Sequence, residues 1–459
     1  MIALVSEVLA FLSLKDLKRL TGYSALAQVG YVLVGFGSGE TVGAVGAALQ
    51  LLYQAAARVV WFLCLRRLAT EQGGFSLSAL AGAGARRPGL ALLLGFSMFT
   101  AMGLTPFTAP PGKEFLLLAA VQGGNLTIAF ALAVAGIFAA LYTVRVVHEV
   151  CLKRGEEAER KPAYFAGVGA GSLILAGALA LTCLFSGPLV GLFQGWLAGS
   201  TETAGHAAGL GAWPLPVVIA YLGAFAMFAI VRFAPKLRGL AALALAAATL
   251  GAVLAAPVAG SAIDPLRQLF TLLFALGGGL IVVYSIGYMD GHEGEDRYFF
   301  FLFLMLASLI GLASATDVAA FYSCFEIMTF SSYMLVVHKR TGEALSAGAK
   351  YLVMCVGGAG VMQVGLLALA STGAPLDRFA PGGMAGALAA YSPAAAAGVA
   401  LMLLAGFTVK AGFFPLHSWL PAAHPVAPSS ISAPLSGLLT KVGVFGVALV
   451  VSALASAPL

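Results

Sequence analysis

Apolar segments recur along nearly the whole chain, near 22–38, 42–65, 89–120, 126–149, 164–185, 214–233, 238–257, 266–288, 298–314, 317–337, 348–371, 396–417 and 431–455. A hydrocarbon core ~30 Å thick is crossed by about 20 apolar residues of helix. Inside it the backbone N–H and C=O groups find no water, so each segment must satisfy them internally as a helix. A soluble globular fold is excluded, since 60% of the residues are hydrophobic, 10% are charged and mean hydropathy is +0.97. The expected fold is an all-α polytopic membrane protein with about 13–14 transmembrane helices. The stretch 2–14 reads as the end of a helix, and no removable signal peptide is expected there.

A net charge of +6 would suggest a nucleic-acid partner in a soluble chain. Here the bases sit in short loops, and threading the segments alternately through a membrane sorts them. Lys15, Lys18, Arg19, Arg66, Arg67, Arg86, Arg87, Lys153, Arg154, Arg160, Lys161, Arg232, Lys236, Arg238, Arg297, Lys339 and Arg340 fall on one side. The other side receives Glu40, Asn125, Glu202, Asp264 and Asp377, with Arg267 and Arg378 as basic exceptions. The basic side is expected to be cytoplasmic. Cys64, Cys151, Cys183, Cys324 and Cys355 are scattered without a Cys-x-x-Cys spacing. No disulfide, metal or iron–sulfur site is therefore expected. Nor does any flavin or nicotinamide motif occur, so no cofactor is expected.

Two apolar segments are interrupted. Phe407 to Val442 carries Lys410, His417, His424 and Lys441, and is broken by Pro415, Pro421, Pro425 and Pro428. Lys441 lies eleven residues beyond Ser430, ~16 Å along a helix. Charge at that depth is costly and normally faces a bundle interior or a wet cavity. The segment 89–120 contains Pro106, Pro110 and Pro111, followed by Lys113 and Glu114. Proline lacks an N–H and clashes with the preceding turn. A pair of interrupted helices points to inverted-repeat half-modules around an ion path. The polar, glycine-rich stretch 186–213 marks a module boundary near residue 200, dividing the chain into 1–200 and 201–459. The stretch 371–396 reads as loop.

The motifs resemble the antiporter-like membrane subunits shared by respiratory complex I, energy-converting membrane-bound hydrogenases and multisubunit cation/proton antiporters. Residues 406–441, GFTVKAGFFPLHSWLPAAHPVAPSSISAPLSGLLTK, are similar to that family's seventh and eighth helices. DVAAFYSCFEIMTFSSY, from Asp317 to Tyr333, resembles its fifth helix, and Ala349–Tyr351 the start of its sixth. Residues 16–31 resemble the opening of the family's second half, and Gly103 to Phe115 its broken twelfth helix. The order departs from the family, because the second-half piece leads. A stretch from a longer protein with two tandem modules, or a circularly permuted single module, would account for that order.

The resemblance assigns roles. Glu326 is the fifth-helix glutamate, expected to pair with Lys410 on the seventh helix. Lys441 is the relay lysine that takes the proton from Lys410; snorkelling to the interface is the alternative. His417 and His424 flank the break and are suited either to shuttling protons or to capping broken-helix carbonyls. Lys113 and Glu114 compete for the twelfth-helix position. The spacing from Pro106 favours Glu114, and a local ion pair between the two is also open. Lys350 stands where the family places a functional lysine. Gln54 and Arg58 replace a His/Lys pair of the family, which leaves the first module a poor conductor or one dependent on water. Arg145, His148 and Glu149 read as an interfacial charge cluster.

What the resemblance implies is a proton-translocating subunit of a redox-driven complex, without oxidation chemistry of its own. Its expected partners are other membrane subunits, peripheral redox subunits, the lipid bilayer of the cell's inner or plasma membrane, and protons, with sodium ions open. A cation/proton antiporter subunit and a structural anchor are the alternatives.

Overall fold

The computed structural model of the chain describes residues 1–103, 112–153, 215–255, 265–315, 318–372 and 381–456. The apolar segment 164–185, the boundary near 200 and Pro106–Pro111 lie outside the described residues. The chain forms two compact units, Met1–Gly209 and Leu210–Leu459. Among the described residues the secondary structure is helical, apart from one isolated bridge between Asp16 and Ser76. Nine of the described helices are long and apolar enough to cross a membrane.

The first unit contains α1 (Ile2–Leu12), α2 (Leu17–Gly37), α3 (Thr41–Gln72), α4 (Ala83–Arg86), α5 (Pro88–Met102), α6 (Gly112–Gln122) and α7 (Leu126–Val146). The last of these continues as a π-helical turn, Val147–Leu152. Asp16 caps α2 by accepting from the backbone N–H groups of Lys18 and Arg19, as a short polar side chain ahead of a helix does. α1 packs on α2 and α7, and α3 packs on α2, α5 and α6. At the end of α7, Glu149 accepts from Arg145 at 3.1 Å and Lys153 at 3.2 Å, with His148 Nδ1 3.8 Å away.

The second unit contains α8 (Leu215–Phe233), α9 (Arg238–Ala255), α10 (Pro265–Tyr288), α11 (Glu295–Ser314), α12 (Val318–Val336), α13 (Gly342–Ser371), α14 (Pro381–Ala389), α15 (Pro393–Ala411), α16 (Leu420–Val426), α17 (Ser429–Pro434) and α18 (Thr440–Ser456). A π-helical turn, Leu435–Leu439, joins α17 to α18. α13 packs along α15, α11 along α8 and α12, and α15 along α18. Arg238 pairs with Asp290 at 2.8 Å and with Glu295, tying the start of α9 to the α10–α11 loop.

Two readings need correction. The stretch 371–396 contains the helix α14, because its alanine-rich run is a good helix former and buries Met384, Ala387 and Leu388. Arg267, a basic exception in the loop pattern, is no loop charge. It is 6% exposed and donates to the carbonyls of Ala313 and Ala315 at the end of α11.

Candidate functional site

The break in the second unit is built by Gly412. α15 ends at Ala411, and Gly412 adopts φ 71, with its N–H returning to Val409. That left-handed conformation costs a residue with a Cβ but not glycine. The chain then turns through 413–419 and restarts as α16. Lys410 thus occupies the last turn of α15, where the carbonyl end of the helix favours a cation. Its side chain is 0% exposed.

The Lys410 ammonium donates to Thr329 Oγ1 at 3.0 Å, to Tyr351 OH at 2.8 Å and to Cys355 Sγ at 4.0 Å. It lies over the rings of Tyr351 at 5.0 Å and Phe325 at 5.7 Å. Glu326 is buried one turn before Thr329 on α12 and accepts from Tyr322 OH at 2.6 Å. The expected direct ion pair between Glu326 and Lys410 is therefore replaced by hydroxyl and ring contacts to Lys410. Trp419 holds the wall in place, donating to Val409 O at 2.8 Å, with its ring 4.9 Å from that of Tyr351. Tyr351 also shares a hydroxyl contact with Ser332 at 2.5 Å.

On the other side of the break, His424 bridges two serines. Its Nδ1 stands 2.6 Å from Ser432 Oγ and its Nε2 2.9 Å from Ser436 Oγ. The Lys441 ammonium donates to Ser436 O at 3.1 Å. The π turn supplies Ser436, and such turns recur where a helix carries function. Lys441 itself is exposed, contrary to the expectation that it faces inward. α18 turns Gly443 and Gly446 against Phe407 and Ala411 of α15, so residue 441 emerges on the opposite face. His417 is half-buried beside Phe414, with ring centroids 5.6 Å apart. Its Nδ1 is buried and makes no hydrogen bond among the described residues.

Lys350 is exposed and stands apart from this cluster, whereas its neighbour Tyr351 is 0% exposed. Successive helical residues point ~100° apart, so one of the two had to turn away. Tyr351, Cys355, Thr329 and Trp419 were missed by sequence reasoning. The available signal was helical spacing, since Tyr351 and Cys355 share a face and Thr329 lies one turn from Glu326. A second hydroxyl run was also missed. Tyr298 OH donates to Ser430 Oγ at 2.7 Å and meets Ser285 Oγ at 2.8 Å, linking α10 and α11 to the start of α17.

The first unit repeats the device. α5 ends at Met102, Gly103 takes φ 90, and α6 begins at Gly112. Lys113 donates to Met102 O at 2.6 Å and Ala101 O at 3.5 Å, and lies 5.0 Å from the centre of the Tyr31 ring. Gln54 donates to the same Ala101 O at 2.8 Å. Glu114 is half-buried on α6. Arg58 donates to Ser24 Oγ at 3.0 Å, and Ser24 meets Tyr142 OH at 2.5 Å. Sequence reasoning also missed Glu7 of α1, which is 0% exposed in the same cluster.

The profile of the family described as "NADH:quinone oxidoreductase/Mrp antiporter, TM" matches residues 1–139 and 315–458. That of "NADH-Ubiquinone oxidoreductase (complex I), chain 5 N-terminus" matches residues 258–299. Hydrogenase-4 component B of Escherichia coli is 34% identical over 186 residues, covering 40% of this chain and 27% of that protein. NADH-quinone oxidoreductase subunit N of Granulibacter bethesdensis is 34% identical over 198 residues, covering 41% and 40%. A Na(+)/H(+) antiporter subunit of Bacillus subtilis is 29% identical over 192 residues, covering 40% and 37%. The chain thus spans between about a quarter and two fifths of the length of these relatives. With more than half of its residues matched by one profile, the chain belongs to the NADH:quinone oxidoreductase/Mrp antiporter transmembrane family.

Proposed function

We propose that this chain is a proton-translocating subunit of a redox-driven membrane complex, whose oxidation chemistry resides in partner subunits. The observation that carries the reading is Lys410, a fully buried amine at the end of an interrupted membrane helix. It is held by hydroxyls and rings instead of an ion pair. A lysine so placed can gain and lose its proton, whereas an arginine stays charged. Glu326, one turn from the Thr329 that receives Lys410, supplies the acid, and His424 with Ser436 leads on to Lys441. Lys113 and Glu114 serve the corresponding break of the first unit.

The two stretches matched by one family profile lie one in each unit. This supports the reading of the units as a second-half piece followed by a first-half piece. In this reading the basic loops face the cytoplasm across the inner or plasma membrane. The test is proton uptake into membrane vesicles, driven by the complex's own redox substrate. Lys410→Ala is expected to abolish uptake, and Lys410→Arg is expected not to restore it. If Lys410→Arg pumps at the unmodified rate, Lys410 is an electrostatic fixture and the mechanism fails.

A cation/proton antiporter subunit is the second reading, favoured by the likeness to the Bacillus subtilis antiporter protein. It predicts proton movement that follows an imposed sodium gradient and needs no redox substrate.

A further inference from the structure

The first unit contains a buried acid that none of the roles above uses. On α1, Ala3, Ser6, Glu7 and Ala10 form the inward face, and Glu7 is 0% exposed. Neither carboxyl oxygen makes a hydrogen bond of full geometry among the described residues, although the Tyr142 hydroxyl lies near enough to interact. An isolated buried carboxylate is among the most costly groups a fold can hold. Polar groups reach Glu7 from four other helices. α3 brings Arg58 and α6 brings Lys113 within electrostatic reach, α7 brings Tyr142 alongside, and α2 brings Tyr31.

Other buried atoms of the cluster are unpartnered too: Arg58 Nε and Nη1 and Tyr31 OH. Buried polar groups without protein partners are satisfied by internal water, which needs several such partners at one place. Glu7, Arg58 and Tyr31 provide them. Arg58 keeps a fixed charge and touches Ser24, which meets Tyr142. The hydroxyls of Ser24 and Tyr142 therefore stand between the fixed cation and the acid, and Tyr31 stands under Lys113.

We propose that Glu7 is the proton-holding carboxyl of the first unit, connected through internal water to Arg58 on one side and to Tyr31 and Lys113 on the other. A hydronium arriving in this water gives its proton to the Glu7 carboxylate, leaving water and a neutral carboxylic acid, and release reverses the step. Arg58 is charged throughout and stabilises the ionised form. The proposal deepens the proton-translocation reading and rests on it for its purpose, but not for its test. A Gln54/Arg58 pair cannot itself exchange a proton, and Glu7 restores to this unit the titrating group that pair lacks.

The test is pH-difference infrared spectroscopy of the full chain reconstituted in lipid vesicles. Acidification is expected to raise a protonated-carboxyl C=O band that shifts in D2O, because the site exchanges with internal water. Glu7→Gln is expected to remove the band, and Glu7→Asp to keep it at a displaced frequency. Arg58→Gln is expected to move its midpoint to higher pH, since a cation favouring the ionised acid is lost. Spectra of Glu7→Gln and wild type that superimpose would overturn the proposal. Should Glu7→Gln fail to fold, an unmoved band in Glu7→Asp overturns it equally. A Glu7 band that titrates normally in a chain whose Lys410→Arg variant pumps at full rate leaves this proposal standing and removes the Lys410 mechanism.

Discussion

Lys410 shows how a membrane protein holds an ammonium without a carboxylate in contact. Desolvation of such a group costs several kcal/mol even after relaxation. Against this stand two hydroxyl acceptors, each worth about 1.5–3 kcal/mol to a charged donor. Two aromatic faces add about 0.5–2 kcal/mol apiece, and the helix C-terminus adds about 0.3–1 kcal/mol. The two sides are of one size, so no single contact locks the lysine in its charged form. Tyr351 contributes a hydroxyl and a ring, which makes it the residue to change. Tyr351→Phe keeps the ring and removes the hydroxyl, with an expected loss of about tenfold in redox-driven proton uptake, from ~1.4 kcal/mol of lost charged hydrogen bonding. Cys355→Ala, removing a longer contact of 4.0 Å, is expected to do less. Uptake that is unchanged in Tyr351→Phe would take that hydroxyl out of the proposed proton path.

At the scale of elements, the interrupted helices do the organising. α15 and α5 both end on a glycine in the left-handed region, and a lysine meets the last-turn carbonyls or lies among them. The α12–α13 turn supports one of these breaks, since Lys339 donates to Ala427 O at 3.3 Å, at the end of α16. His338 in the same turn packs edge-on against Tyr298, with ring centroids 5.5 Å apart. Burial, and then the nearby Arg297 charge, push His338 down to about 4 from its ordinary 6.5. The folded turn therefore binds the proton more weakly than the unfolded chain. Its stability is fully present above about 6.5 and is lost as pH falls through about 4. Hydrogen exchange of the backbone around 335–342 is expected to accelerate across that window, and His338→Gln to remove the pH dependence. Equal acceleration in the variant would assign the effect to other groups.

The whole molecule presents a face that hydrocarbon does not suit. Lys441 and Ser436 are exposed on the α17–α18 side of the second unit, in a segment long enough to span a membrane. A lysine facing lipid at mid-membrane costs about 2.5–3.5 kcal/mol or more. The relatives are subunits of larger assemblies by name, and a protein neighbour over this face would remove that cost. Lys441→Cys is expected to react with a membrane-permeant maleimide in the isolated chain and to be protected in membranes holding the assembled complex. Equal labelling in both would show that the face meets lipid or water.

The sequence by itself determined the fold class, because runs of ~20 apolar residues leave the backbone no structure but the helix. It also marked two interruptions by their prolines, which remove the backbone donor whatever surrounds them, while the glycines that end α5 and α15 came to light only in the structure. Lys410 and His424 stood out for a local reason, charge and imidazole in an apolar run, while Glu326 was singled out by the resemblance of its helix. Partnership was not legible. That Thr329, Tyr351 and Cys355 receive Lys410 depends on how α12, α13 and α15 are rotated against one another, and Tyr351 rather than Lys350 faces in because of that rotation. The outward position of Lys441 follows from two glycines pressed against Phe407 and Ala411, a contact between residues more than thirty positions apart. Glu7 was hidden in a short run of eleven helical residues. Only the packing of α1 against α2 and α7 encloses it, since burial is a property of neighbours that distance along the chain does not reveal.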